Sequence, residues 1–129
     1  MPEFVLADSS FLIGLYLPED TNHEKAREFF EKNQKQILIP FEVLTETFTF
    51  LNNSKGIEIV AKVYIELQQN KLVQIMQPLQ REIHEKAFRR FLSQTKEEKL
   101  SYVDCIQLTL AKERKIELIS FDIKLNKAS

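Results

Sequence analysis

Four short apolar runs punctuate this chain, each leading into a helical pattern: Glu3 to Ala7 (EFVLA), Gln36 to Ile39 (QILI), Leu72 to Met76 (LVQIM) and Glu117 to Phe121 (ELISF). Runs this short and this apolar suit strands that are buried on both faces. The segments between them carry apolar residues at three- and four-residue spacing, the period of amphipathic helices. Helices are expected at residues 11–16, stopped by Pro18, and through Lys32 after a cap at Thr21 or Asn22. Others are expected at 41–51, broken near Asn52-Asn53-Ser54, and at 57–69, 80–93 and 100–111. Such alternation predicts an α/β fold of three α/β/α layers. Its centre is a mostly parallel sheet of four or five short strands with helices on both faces.

A chain of 129 residues supplies one core, so a single domain over residues 1–129 is expected. Neither a repeat nor a flexible linker interrupts it. Two glycines exclude the Gly-rich phosphate loops of nucleotide-binding folds. Cys105 is the sole cysteine, which excludes an internal disulfide and a Cys-based zinc site and leaves it as a small core residue. No apolar run is long enough to span a bilayer, and no basic-then-apolar leader opens the chain, so a cytoplasmic location is expected. A net charge of −1 is not that of a protein that coats nucleic acid, but it is compatible with an acidic site flanked by cations. His23 and His84 fall in charged helical patterns and read as surface residues, which gives histidine-based hydrolysis little support.

Four acids stand where solvated surface charge is not expected. Asp8 and Asp122 each follow directly on an apolar run, and residues just past parallel strands gather on one rim of the sheet. Glu46 lies at the edge of an apolar helical stripe with Val43 and Phe50. Asp104 sits in the middle of LSYVDCIQLTLA, in line with Leu100, Leu108 and Ala111, where an unpaired carboxylate is costly. Taken singly, Asp8 and Asp122 read as helix caps, Glu46 as half of an edge ion pair, and Asp104 as a cap or ion-pair partner. Taken together, they read as one site. Clustered carboxylates repel, and a hard divalent cation reverses that penalty. An all-oxygen donor set favours Mg²⁺ or Mn²⁺ over zinc.

The order and context of these acids resemble the PIN domain, and within it the VapC-type toxins of toxin–antitoxin pairs. The matching features are Asp8-Ser9-Ser10 after the first strand, Glu46 in the helix after the second, Ser101-x-x-Asp104, and Ser120-x-Asp122 after the last. The resemblance spans residues 3 to about 125. It implies a three-layer PIN-like fold and metal-dependent endonucleolytic cleavage of RNA. Asp8, Glu46, Asp104 and Asp122 would hold Mg²⁺ or Mn²⁺, and Ser9, Ser101 and Ser120 would support them. Glu42 competes with Glu46, which fits the motif better. The chain departs from the pattern at Lys124, where relatives often carry another acid, with Asn126 as a weak substitute. It also ends where many relatives add an edge strand.

A polyanionic substrate needs cations beside the acids. Lys124 and Lys99 are the leading candidates, with Lys96, Lys127, Arg89 and Arg90 behind them. The resemblance further implies a homodimer and an antitoxin partner. Their contact face is expected as an apolar patch around Phe41, Phe48 and the helix at 57–67. Three other functions compete: a PIN nuclease of RNA processing, a PIN-like binding module without activity, and a phosphatase or receiver domain built on Asp8. The last lacks the second acid an Asp-x-Asp phosphatase requires.

Overall fold

In the computed structural model, which describes residues 3–129, each apolar run becomes a strand. The order is β1 (Phe4–Ala7), α1 (Ser9–Tyr16), α2 (His23–Lys32), β2 (Gln36–Ile39), α3 (Phe41–Lys55), α4 (Ile57–Gln69), β3 (Val73–Ile75), α5 (Arg81–Leu92), α6 (Tyr102–Arg114), β4 (Glu117–Ile119) and α7 (Ile123–Ala128). The four strands form one sheet in the order β3-β2-β1-β4, and every pairing is parallel. Met1 and Pro2 of the expected 1–129 domain lie outside the described residues.

Alternation along the strands builds the two outer layers. Val5, Ala7, Ile37 and Ile39 turn to one face and pack with Phe11, Leu12, Leu44, Val63 and Leu67 of α1, α3 and α4. Leu6 and Leu38 turn to the other face and meet Met76 and Leu110 of α6. Ala87, Leu100, Cys105 and Ile106 then fasten α5 to α6. Because right-handed crossovers are the rule, reversing direction after β3 puts α5 and α6 on the face opposite α1–α4. The reversal also makes a switch point. From β1 the chain steps outward to β2 and β3, then returns to the far side of β1 for β4. Crevices at the carboxyl ends of such strands are where α/β sheets bind ligands.

Three boundaries differ from expectation. Helix α3 does not break at Asn52-Asn53-Ser54. Those residues are exposed, and buried Leu51 anchors the turn that carries them, so weak helix formers continue the helix at small cost. It ends only at Gly56, with φ +94° and ψ 175°. Helix α6 begins at Tyr102, so Asp104 belongs to its first turn and not to its middle. Helix α7 was not foreseen. Asp122 caps it by accepting hydrogen bonds from the backbone N–H groups of Lys124 and Leu125, and fully buried Leu125 holds it down.

The conformation of Gly56 is one that only glycine adopts without strain. A Cβ there meets nothing within 4 Å, so the penalty is one of backbone alone. Gly56→Ala is expected to lower stability by about 1–3 kcal/mol, read as a shift in the urea midpoint with an unchanged slope.

Candidate active site

The rim at the ends of β1 and β4 collects the four acids in graded burial. Asp8 is 2% exposed, Asp104 and Asp122 are half-buried, and Glu46 is the most open. Asp8 leaves β1, and its backbone N–H donates to the Ile119 carbonyl of β4 at 3.0 Å, extending the ladder to the site. Its Oδ2 accepts from the Ser10 N–H at 3.3 Å, the Ser10 hydroxyl at 2.7 Å and the Ser120 hydroxyl at 2.7 Å. Its Oδ1 accepts from Gln107 Nε2 at 2.8 Å. A buried carboxylate with this many donors is compensated for the water it has lost.

The other three acids are each fixed through one oxygen. Glu46 Oε1 accepts from the Ser9 hydroxyl at 2.6 Å. Asp104 Oδ2 accepts from the Ser101 N–H at 2.9 Å, while the Ser101 hydroxyl accepts from the Asp104 N–H at 3.0 Å, a reciprocal cap that starts α6. Asp122 Oδ1 accepts from two α7 N–H groups at 2.9 and 3.2 Å. The second oxygen of each of these three takes no hydrogen bond from a described residue. Each expected serine therefore holds one carboxylate: Ser9 holds Glu46, Ser101 holds Asp104 and Ser120 holds Asp8. The anchoring accounts for the charge at Asp104. Its carboxylate is the N3 half of the capping box that Ser101 opens at the start of α6.

Two of the acids, Glu46 and Asp104, sense the charge of their neighbours. Burial pushes the Glu46 carboxyl above its usual range, the Ser9 hydrogen bond opposes this, and the charges of Asp8, Asp104 and Asp122 push it further up. Burial likewise raises Asp104; the Ser101 N–H opposes, and the charges of Asp8 and Asp122 add to the rise. Even so, among the described residues no three His, Cys, Asp or Glu side chains converge closely enough to share one ion in this arrangement. The donor chemistry nevertheless suits a hard cation, since all four acids are oxygen donors that repel each other and three keep an oxygen without a partner.

Other expected residues separate from this group. Glu42 turns away from it. Its Oε2 lies 3.1 Å from His84 Nε2 and accepts from the Leu79 N–H at 3.3 Å. His84 is thus half-buried and engaged, not a free surface residue, and His23 Nδ1 donates to the Gly14 carbonyl at 2.8 Å. Arg90 is committed to Glu98 at 2.7 Å. Lys124 and Lys99 are exposed and form no ion pair with a described residue, with Lys124 in the first turn of α7 beside Asp122. Two members of the site went unforeseen. The Ser10 hydroxyl bridges Asp8 to the Phe121 N–H, which donates to it at 2.9 Å. Gln107, fully buried, reaches Asp8 from α6. Its signal was present: a polar amide in an apolar helix, three residues after Asp104.

A family model described as PIN domain matches residues 5–129. VapC20 of Mycobacterium tuberculosis, described as a sarcin-ricin loop cleaving toxin, has a structure similar to this one. The TM-score is 0.86 at 21% identity, covering 97% of this chain and 95% of that one. A toxin–antitoxin complex from Klebsiella pneumoniae contains a chain with TM-score 0.67 at 20% identity, covering 92% of this chain and 86% of that one. No curated protein sequence matches. At these identities the structural likeness is one of fold, and it covers the α/β/α layers and the parallel sheet.

Two substitutions separate repulsion from support. A carboxyl whose folded value is raised binds protons more readily when folded. Glu46 therefore favours the folded state as pH falls from that raised value toward the ordinary one, and opposes folding above it. Glu46→Gln is expected to raise the Tm of the metal-free protein by about 2 °C at pH 7.5, with the gain fading toward pH 5. Asp8→Ala strips the acceptor from Ser10, Ser120 and Gln107, and is expected to cost about 3 kcal/mol in urea denaturation.

Proposed function

The chain belongs to the PIN domain family, and from that premise we propose that it is a metal-dependent endoribonuclease, the toxin of a type II toxin–antitoxin pair. One observation carries the reading. Four carboxylates from β1, α3, α6 and the end of β4 share the switch-point rim, and burial and mutual repulsion raise two of them. Asp8, Glu46, Asp104 and Asp122 would hold Mg²⁺ or Mn²⁺. Such an ion, when bound, supplies an activated water and steadies the charge on a phosphodiester undergoing hydrolysis. The chain's own part is to hold the ligands. Ser9, Ser101 and Ser120 fix one oxygen of three carboxylates, and α7 fixes that of Asp122. Lys124 and Lys99 would draw phosphates to the rim.

RNA as substrate is supported by VapC20 being described as cleaving the sarcin-ricin loop. An antitoxin partner is supported by the neighbour from a toxin–antitoxin complex. Phe41 and Phe50 of α3 and Ile57, Tyr64 and Ile65 of α4 are exposed large apolar side chains of this helical pair. We assign the pair's exposed apolar residues to protein contacts, with a second copy and with the antitoxin. Among the described residues no helix is long and apolar enough to cross a membrane. The toxin reading carries with it a cytoplasmic site of action.

Mg²⁺ or Mn²⁺ is expected to raise the Tm of the wild type and to be required for cleavage of RNA. Asp122→Asn keeps a good helix cap, so it should fold. Losing an outer partner of a metal site already costs about 10–100-fold, so Asp122→Asn and Glu46→Gln should each lose at least that in cleavage rate. A wild type whose Tm ignores both ions, and which cleaves in a chelator, would sink the reading. Lys124→Ala should weaken RNA binding and reduce the slope of log affinity against log salt by about one.

A further inference from the structure

Gln107 is the largest polar side chain in the core, at 0% exposure, and it lies one helical turn beyond Asp104 on α6. Its orientation is fixed by chemistry. Nε2, the donor end of the amide, faces the acceptor Asp8 Oδ1 at 2.8 Å, so Oε1 faces away. There Oε1 is buried and has no hydrogen-bond partner among the described residues. A Met or Leu would fill the same space without an orphaned oxygen. Packing therefore does not account for the amide, and its one hydrogen bond does.

That bond acts on a particular atom. Asp8 Oδ2 accepts three hydrogen bonds, whereas Oδ1 accepts only that of Gln107. A carboxylate oxygen has two lone pairs, so Oδ1 retains one. We propose that Gln107 is a positioning residue, one that holds Asp8 with a lone pair of Oδ1 free to bind a divalent cation. The proposal rests on the reading of the four acids as a cation site.

The test is calorimetric titration of the metal-free full chain with Mn²⁺, wild type against Gln107→Met, alongside RNA cleavage as a function of Mg²⁺ concentration. Outer partners of metal ligands are worth about 10–100-fold in affinity. Gln107→Met is therefore expected to bind Mn²⁺ about ten-fold more weakly and to need correspondingly more Mg²⁺ for half-maximal cleavage. KM for RNA should stay unchanged, and the rate should recover at saturating Mg²⁺, a rescue that a merely structural defect would not show. Gln107→Met with wild-type Mn²⁺ affinity would overturn the proposal and leave the nuclease reading standing. A wild type that binds no Mn²⁺ would overturn both. If Gln107→Met does not fold, Gln107→Leu takes its place; if neither folds, the amide serves the core and the proposal falls.

Discussion

The buried carboxylate of Asp8 is the interaction on which the rest of this structure depends. It terminates the central strand and receives hydrogen bonds from α1 through Ser10, from α6 through Gln107 and from the end of β4 through Ser120. Helices α1 and α6 lie on opposite faces of the sheet, so one ionised group reaches both outer layers. A buried charge is tolerable only when such donors replace its water. Among the described residues, the Gln107 amide N–H donates to no other group. Fold and site therefore constrain each other at this residue, since whatever disturbs the layers disturbs the ligand set.

Much of the architecture was legible because hydrophobic periodicity encodes it directly. Gln36–Ile39 and Ile57–Gln69 were readable to the residue, bounded as they are by Pro40, Gly56 and Asn70. The errors have separate causes. Asn52, Asn53 and Ser54 look like helix breakers, but buried Leu51 keeps the helix wound through them, so tertiary packing overrides local preference. Leu100 looked like the first turn of α6 because it is apolar, but it is held outside the helix by its N–H donating to Gln94. Helix α7 is six residues long, too short to show a period, and only its cap and Leu125 mark it.

The site was legible to the extent that acids betray themselves in apolar surroundings. Asp8, Glu46, Asp104 and Asp122 stood out for that reason, and in the structure the charges of Asp8 and Asp122 push both Glu46 and Asp104 upward. Glu42 and Glu46 differ by one turn, and sequence could rank them but not aim them; the contact with His84 draws Glu42 away. Ser10 was noticed only as part of the Asp8-Ser9-Ser10 run, without a role, and Gln107 was not noticed at all, because they act through partners 111 and 99 positions away. Those distances are properties of topology, invisible to any local pattern.

The same separations have a consequence for how the protein is made. Asp8 emerges early in synthesis, but Ser120, which shares its Oδ2, lies 112 positions later. Strand β4, the sheet neighbour that delivers it, pairs with β1 only after the whole β2–α6 segment has been laid down. A nascent chain still held by the ribosome at mid-length lacks Asp104, Ser120 and Asp122, and its Asp8 has neither Gln107 nor Ser120 to stabilise it. The cluster is thus complete only once residue 122 has left the translating ribosome.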